Sequence, residues 1–376
     1  MATKTSPRKT PTKAPRQQRD AAQEITNKIV AALQSALEAA EKGEAVILPW
    51  KKEWHSAEGD FPTSLATGKR YRGSNVLTLW VESMLMGYTS KYWGTYNQMA
   101  ERAGMVKVEF GNGGSKWLSP KLEDGTVDPT PRGVRKGERS TEIIKWLFFE
   151  KVVIDETTKK PVLRPDGTPQ KKRFATPRIF HVFNADQCEF PEGCKGVPQP
   201  EPRGEGFDPI KEAEDILTHY MGADDAPSLG HGGDRAFYAP KKDHIQMPQF
   251  ADFSSAEGYY STLYHEVTHS TGHSKRNNRD GIREGSFGAF GDKVYSFEEL
   301  VAEIGAAFLC GVAGIAQDTT FDNSVAYINH WMAKLKEDKN LIIRASSQAQ
   351  RAVDKVLGIS FEPEDKDEAE DAEAVA

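Results

Sequence analysis

Cysteine is scarce in this sequence. Its 376 residues hold three, Cys188, Cys194 and Cys310, an odd number with no C-x-x-C spacing. That excludes a disulfide framework or a cysteine-rich zinc site as the basis of the fold. No run of 18 apolar residues occurs, and the charged N-terminus leads into no apolar stretch of the kind a secretory signal needs. A membrane partner is therefore not expected, and the chain reads as soluble and cytoplasmic. Its length suits two domains of ordinary size, each with its own core.

Apolar residues are also missing from both ends. Residues 1–19 are mostly Lys, Arg, Thr, Pro and Gln, and residues 359–376 are dominated by Asp, Glu and Ala; such tails cannot bury enough surface to fold. The net charge of −6 conceals a division. Counting Lys and Arg against Asp and Glu gives +3 for residues 1–44, +6 for residues 45–190 and −15 for residues 191–376. A polyanion would be drawn to the first half and repelled by the second.

The hydrophobic pattern divides the chain in the same place. Ile25, Ile29, Val30, Leu33 and Leu37 recur at three and four residues, an amphipathic helix expected to pack on the first domain. Helical patterns follow around Val76–Met86 and Tyr96–Ala103, then β-rich runs at Glu142–Ile154 and Arg173–Phe183. A first domain over 20–190, built of an antiparallel sheet and helices, is the reading. Residues 191–207 are rich in Pro and Gly and read as a linker. A helix near Asp208–Met221, a strand pair around Arg235–Met247 and further helices fill a mainly helical second domain over 208–358. The fold class is α+β with two domains.

Ser254 and Glu257 have the spacing of a capping box, and no Gly or Pro interrupts Tyr259–Thr271. His265, Glu266 and His269 therefore share a helix in a His-Glu-x-x-His motif. Residues four apart lie one turn apart on one face, so both imidazoles can reach one ion, while Glu266 remains as a general base. A catalytic site of this type needs a third protein ligand. His273 would lie ~12 Å along the helix axis from His265, too far to share an ion. Downstream, Ser296 and Glu299 match a second capping box, which assigns Glu299 to a helix start and holds it in reserve. Glu303 stands in an apolar stretch where an uncompensated carboxylate costs several kcal/mol, so Glu303 is the expected third ligand. The expected cofactor is one Zn2+; manganese, cobalt and nickel also suit imidazole and carboxylate donors.

In the basic half, aromatic rings alternate with cations and amides: Trp50, Lys51 and Lys52; Lys69, Arg70, Tyr71, Arg72 and Asn75; Trp93 and Tyr96; then Arg135 and Lys136. Rings that stack on bases and cations that follow phosphates bind single-stranded nucleic acid with little sequence preference. Single-stranded DNA is the expected partner.

Taken together, the run Pro49–Asn75, the Trp93-Gly94-Thr95-Tyr96 block, Val134–Glu138 and Phe183-Asn184 resemble the N-terminal domain of ArdC-type antirestriction proteins, which is shared with the primase-associated TraC proteins of conjugative plasmids. Tyr264–His269 and Glu299–Glu303 are similar to the zincin-like metallopeptidase domain that accompanies it. The resemblance covers roughly residues 20–358. It implies a plasmid-encoded protein that binds incoming single-stranded DNA and shields it from host restriction. Three readings stay open: DNA binding with an auxiliary peptidase, a protease that cleaves proteins on a DNA scaffold, and a DNA-binding module with an inert metal site.

Overall fold

The apolar stripe near the N-terminus folds as α1 (Ala21–Glu41). Ile25, Ile29, Leu33 and Leu37 line its buried face, and the Gln23 N–H donates to the Asp20 side chain at 3.2 Å to cap its start. The computed structural model describes residues 20–42, 61–111, 114–198, 208–282, 293–315 and 325–360. After α1 come β1 (Thr63–Ser64), α2 (Ser74–Met86), β2 (Tyr92–Thr95), α3 (Tyr96–Arg102), β3 (Val106–Glu109), β4 (Ser115–Leu118), β5 (Gly133–Val134), β6 (Thr141–Val152), β7 (Lys171–Asn184) and β8 (Cys188–Glu189). The main sheet runs β1-β2-β7-β6. It is antiparallel except where β1 pairs in parallel with β2.

The second half begins with α4 (Pro209–Met221), then β9 (Ser228–His231), β10 (Phe237–Ala239) and β11 (His244–Met247), which form a separate three-stranded sheet. Helices α5 (Ala256–Thr271), α6 (Lys293–Ala313), α7 (Val325–Glu337) and α8 (Leu341–Val356) complete it. The α+β reading holds. β9 was not anticipated, because four residues with a glycine at the third show no alternation to detect.

The expected separation of cores does not hold. One buried cluster runs from Ile25 and Leu33 of α1 through Trp80 of α2 to Phe308 of α6 and Val353 of α8. Helix α1 packs on α2, as expected, but also lies along α7. Phe61, Trp80 and Phe308 form an aromatic triple across the junction, with ring centroids 5.3, 5.6 and 6.1 Å apart. Polar contacts accompany it: Arg72 pairs with Asp354 of α8, and the Gly73 N–H donates to Gln350 at 3.1 Å. The first residues of the expected linker also belong to the fold. Gly196 donates to the Arg102 carbonyl at 3.1 Å, and Phe190 and Val197 pack beside Met99. Residues 199–207 lie outside the described residues.

The shared core predicts joint unfolding. Phe308 is fully buried, so Phe308→Ala should cost about 3–5 kcal/mol in urea denaturation, with both halves unfolding in a single transition. Two separate transitions in the wild-type protein would contradict a common core.

Candidate functional site

Helix α5 starts one residue later than the capping-box spacing implied. Ser255 is its N-cap, accepting from the Gly258 N–H at 3.0 Å. From Leu263 to Thr271 every residue of the helix is buried, so His265 and His269 face the interior of the second half. Helix α6 crosses them at close range because Gly305 lacks a side chain. A Cβ there would sit 2.5 Å from Cγ2 of Thr268, inside any tolerable contact.

That close approach assembles a three-residue group. His265 Nε2 and His269 Nε2 lie 3.1 Å apart. The Glu299 carboxylate sits 3.5 Å from each, one oxygen toward each ring. Two imidazoles bound to one tetrahedral ion at ~2.0–2.1 Å hold their nitrogens roughly 3.3 Å apart, so the donor set fits one divalent ion. Among the described residues this is the group of histidines and carboxylates whose donor atoms all lie within 4.8 Å of one another.

Glu303, the expected third ligand, is outside that group. The expectation rested on Ser296 capping a helix, with Glu299 engaged at its start. Helix α6 instead begins at Lys293, so Glu299 lies inside the helix, beyond its first turn, with its carboxylate toward the histidines of α5. Glu303 is one turn further along and buried. Glu266 is also buried, adjacent to His265. Burial works against a charged His265, but the carboxylates of Glu299, Glu266 and Glu303 outweigh it and push the imidazole up to about 9. The carboxylates around His265 thus set up a negative field that favours a cation at the site.

A second layer, which sequence reasoning missed, orients His269. Its Nδ1 is 3.3 Å from Glu298. An Nδ1–H directed there leaves Nε2 with a lone pair for a metal, the arrangement by which carboxylates fix metal-binding histidines. Glu298 is itself held by Arg279, whose Nε donates to it at 3.0 Å. Arg279 also donates to Thr271 Oγ1 and to the Thr268 carbonyl, both at 2.7 Å. Burial would raise the Glu298 carboxyl, yet the Arg279 guanidinium and His269 keep it below the ordinary range. The signal available in the sequence was the doubled Glu298-Glu299, which places two carboxylates at adjacent helix positions.

The expected DNA-contacting residues fare unevenly. Trp50, Lys51 and Lys52 lie outside the described residues. Trp93 is fully buried in a core cluster with Leu79, Ile143 and Val182; it cannot stack on a base, and this corrects the sequence reading. Asn75 brackets the sheet edge, with Nδ2 donating to the Ile144 carbonyl at 2.8 Å and Oδ1 accepting from the Ile144 N–H at 2.9 Å. Arg72 pairs with Asp354, and Tyr71 packs between two core clusters. Arg135 bonds Glu138 at 2.9 Å and the Asp186 carbonyl at 2.6 Å. Lys69, Arg70, Tyr96 and Lys136 are exposed, with the Arg70 guanidinium 5.1 Å above the Phe61 ring.

The buried Arg279–Glu298 pair predicts a specific pattern. Arg279→Ala should lower stability by about 3–5 kcal/mol, because Glu298 keeps its burial and loses its cation, and divalent-ion affinity should fall about 10- to 100-fold. Removing Glu298 as well should restore much of the stability and none of the affinity. Calorimetric metal titration beside thermal unfolding measures both; unchanged affinity in both variants would contradict the orienting role.

Both halves of the chain are similar to known proteins. Residues 19–183 match the model of the N-terminal domain of anti-restriction factor ArdC, and residues 215–348 match that of a zincin-like metallopeptidase. The chain is 34% identical over 317 residues to the DNA primase TraC of Escherichia coli, which covers 82% of this chain and 25% of the primase. It thus spans about a quarter of that curated relative. It is 29% identical over 345 residues to the uncharacterized protein y4eC of Sinorhizobium fredii, covering 91% of this chain and 93% of that protein. Among solved structures, the metal-free antirestriction ArdC protein of plasmid R388 aligns over 91% of this chain and 100% of its own, at 30% identity and a TM-score of 0.58. The Mn(II)-bound form of the same protein aligns over 90% and 98%, at 31% identity and a TM-score of 0.55. With a solved relative matched from end to end and both halves matched in order, the chain belongs to the ArdC family of antirestriction proteins, an ArdC N-terminal domain followed by a zincin-like metallopeptidase domain.

Proposed function

We propose that this chain binds single-stranded DNA largely without sequence preference through its N-terminal half and thereby protects incoming plasmid DNA from host restriction in the recipient's cytoplasm. Its second half supplies a metal-dependent, peptidase-like centre. The observation that carries the reading is the joining of two opposite chemistries in one chain. Residues 45–190 are net basic and expose Lys69, Arg70, Tyr96 and Lys136, whereas the acidic half buries His265, Glu266 and His269 against Glu299. Phosphates favour the first and are repelled by the second.

In the second half, His265, His269 and Glu299 would hold one divalent ion, with Glu266 as the base. Manganese is supported by the Mn(II)-bound relative, and zinc by the imidazole-rich donor set. When bound, the ion supplies Lewis acidity toward a peptide carbonyl and a nearby water. Glu266, one position after His265 on the same helix, takes the proton of the attacking water and returns it to the leaving amine. Glu298 keeps the His269 ring in one orientation through its Nδ1. Glu303 deepens the negative field at His265 from the next turn of α6.

The two halves should come apart under mutation. Glu266→Ala removes the base and no positive charge, so affinity for single-stranded DNA and protection against restriction should persist. Loss of charge at Lys69 and Arg70 together should abolish protection with the metal retained; Arg72 is left intact because it pairs with Asp354 across the shared core. Plasmid transfer into restricting and non-restricting recipients reads both variants. If Glu266→Ala alone destroys protection, the protein acts instead as a protease on DNA-bound host proteins.

A further inference from the structure

The longest element of the N-terminal half is the β6–β7 ribbon. Its pairing runs without a break from Thr141↔Val182 to Val152↔Lys171. Successive residues of a strand point to opposite faces, so the register sorts the side chains into two sets. One face carries the cross-strand pairs Lys145↔Arg178, Leu147↔Thr176, Phe149↔Phe174 and Lys151↔Lys172. No Asp or Glu occupies any of these positions. The other face carries Glu150, opposite Arg173 and 3.1 Å from Lys171. The ribbon thus keeps its carboxylates off one face, and the outer stretch of that face, around Phe149 and Phe174, carries Lys145, Lys151, Lys172 and Arg178.

The rings are placed among the cations. Phe149 and Phe174 stack on each other with centroids 6.1 Å apart and planes 17° apart. Lys151 Nζ lies 5.6 and 5.7 Å from the two rings, and Lys172 Nζ lies 5.9 Å from Phe174. Phe174 is 39% exposed, and Lys151, Lys172, Thr176 and Arg178 are exposed beside it. Lysines alone would suffice to keep a sheet edge from pairing with other chains. The exposed Phe174 ring, stacked on the half-buried Phe149, works against that purpose and calls for an occupant with flat apolar faces and negative charge. A single strand of nucleic acid offers both, since its bases are unstacked and its phosphates follow at every step; a duplex has its base faces already covered.

We propose that the Lys145–Lys151 and Lys172–Arg178 face of this ribbon is a contact surface for single-stranded DNA, with a base stacked on the Phe149/Phe174 pair and phosphates along Lys151, Lys172 and Arg178. The proposal rests on the single-stranded-DNA reading of the N-terminal half and assigns to it a surface distinct from Lys69, Arg70, Tyr96 and Lys136.

The test uses the full chain and a dye-labelled oligothymidylate followed by fluorescence anisotropy across a salt series, with thermal unfolding measured on each variant. Phe174→Ala should weaken binding about 5- to 150-fold, the range of one lost base stack. Lys151→Gln with Lys172→Gln should reduce the slope of log affinity against log salt by about 1.4. A photo-crosslinking residue placed at Thr176, on this face, should capture the oligonucleotide, and one at Glu150, on the other face, should not. Wild-type binding with unchanged affinity and slope in both variants overturns the ribbon surface and leaves the function reading standing. Absence of wild-type binding overturns both. A tighter duplex complex that depends on the same residues overturns the single-strand assignment.

Discussion

The structure is organised around carboxylates buried between α5 and α6. Glu266, Glu298 and Glu303 are all under 9% exposed, and Glu299 meets the two histidines beside them. Burial of like charges at such range is expensive unless cations and donors compensate. Arg279 answers Glu298 directly, through two nitrogens on one carboxylate. The remaining negative potential falls on His265 and His269, and it is what makes the space between their rings a cation site. Gly305 sets how close this can be: with no Cβ on α6 at Thr268, the carboxylate-bearing helix lies against the histidine-bearing one.

The site also depends on the first half of the chain. Phe308 lies on the helix that carries Glu298 and Glu299, and its ring closes on Phe61 and Trp80 from the N-terminal half. Helix α8, which packs on α6, is in turn fastened to the N-terminal half by Arg72–Asp354 and Gly73–Gln350. Two halves of opposite charge are thus joined by apolar packing along their common border, with Arg70 over Phe61 beside that border and further basic residues displayed on elements away from it. The β6–β7 ribbon is the furthest expression of this, since its distal pairs are largely solvent-exposed.

What the sequence revealed follows from what periodicity can carry. Helices α1, α2, α4 and α5 were legible because their apolar stripes repeat over three or more turns, and the His265/His269 pair because four residues is a fixed displacement on a helix. The third group of the cluster differs from the one expected for a local reason: Ser296 and Glu299 imitate a capping box, but α6 already runs through them. Glu298 and Arg279 were invisible because their pairing joins a helix to a loop 19 residues away. Trp93 was misread because a tryptophan among polar neighbours looks the same in sequence whether it faces a core or a base. The cationic face of the ribbon escaped notice because its residues alternate with others on each strand and assemble only once the register is known.

On the proposed reading, α5 and α6 create one divalent-ion site from His265, His269 and Glu299. Isothermal titration of the metal-stripped full chain with Mn2+ and with Zn2+ tests it most directly, with Glu299→Gln and Glu303→Gln measured beside the wild type. The proposed site predicts one ion per chain, lost or weakened at least 100-fold in Glu299→Gln and retained within about tenfold in Glu303→Gln. Retention in Glu299→Gln with loss in Glu303→Gln would contradict it.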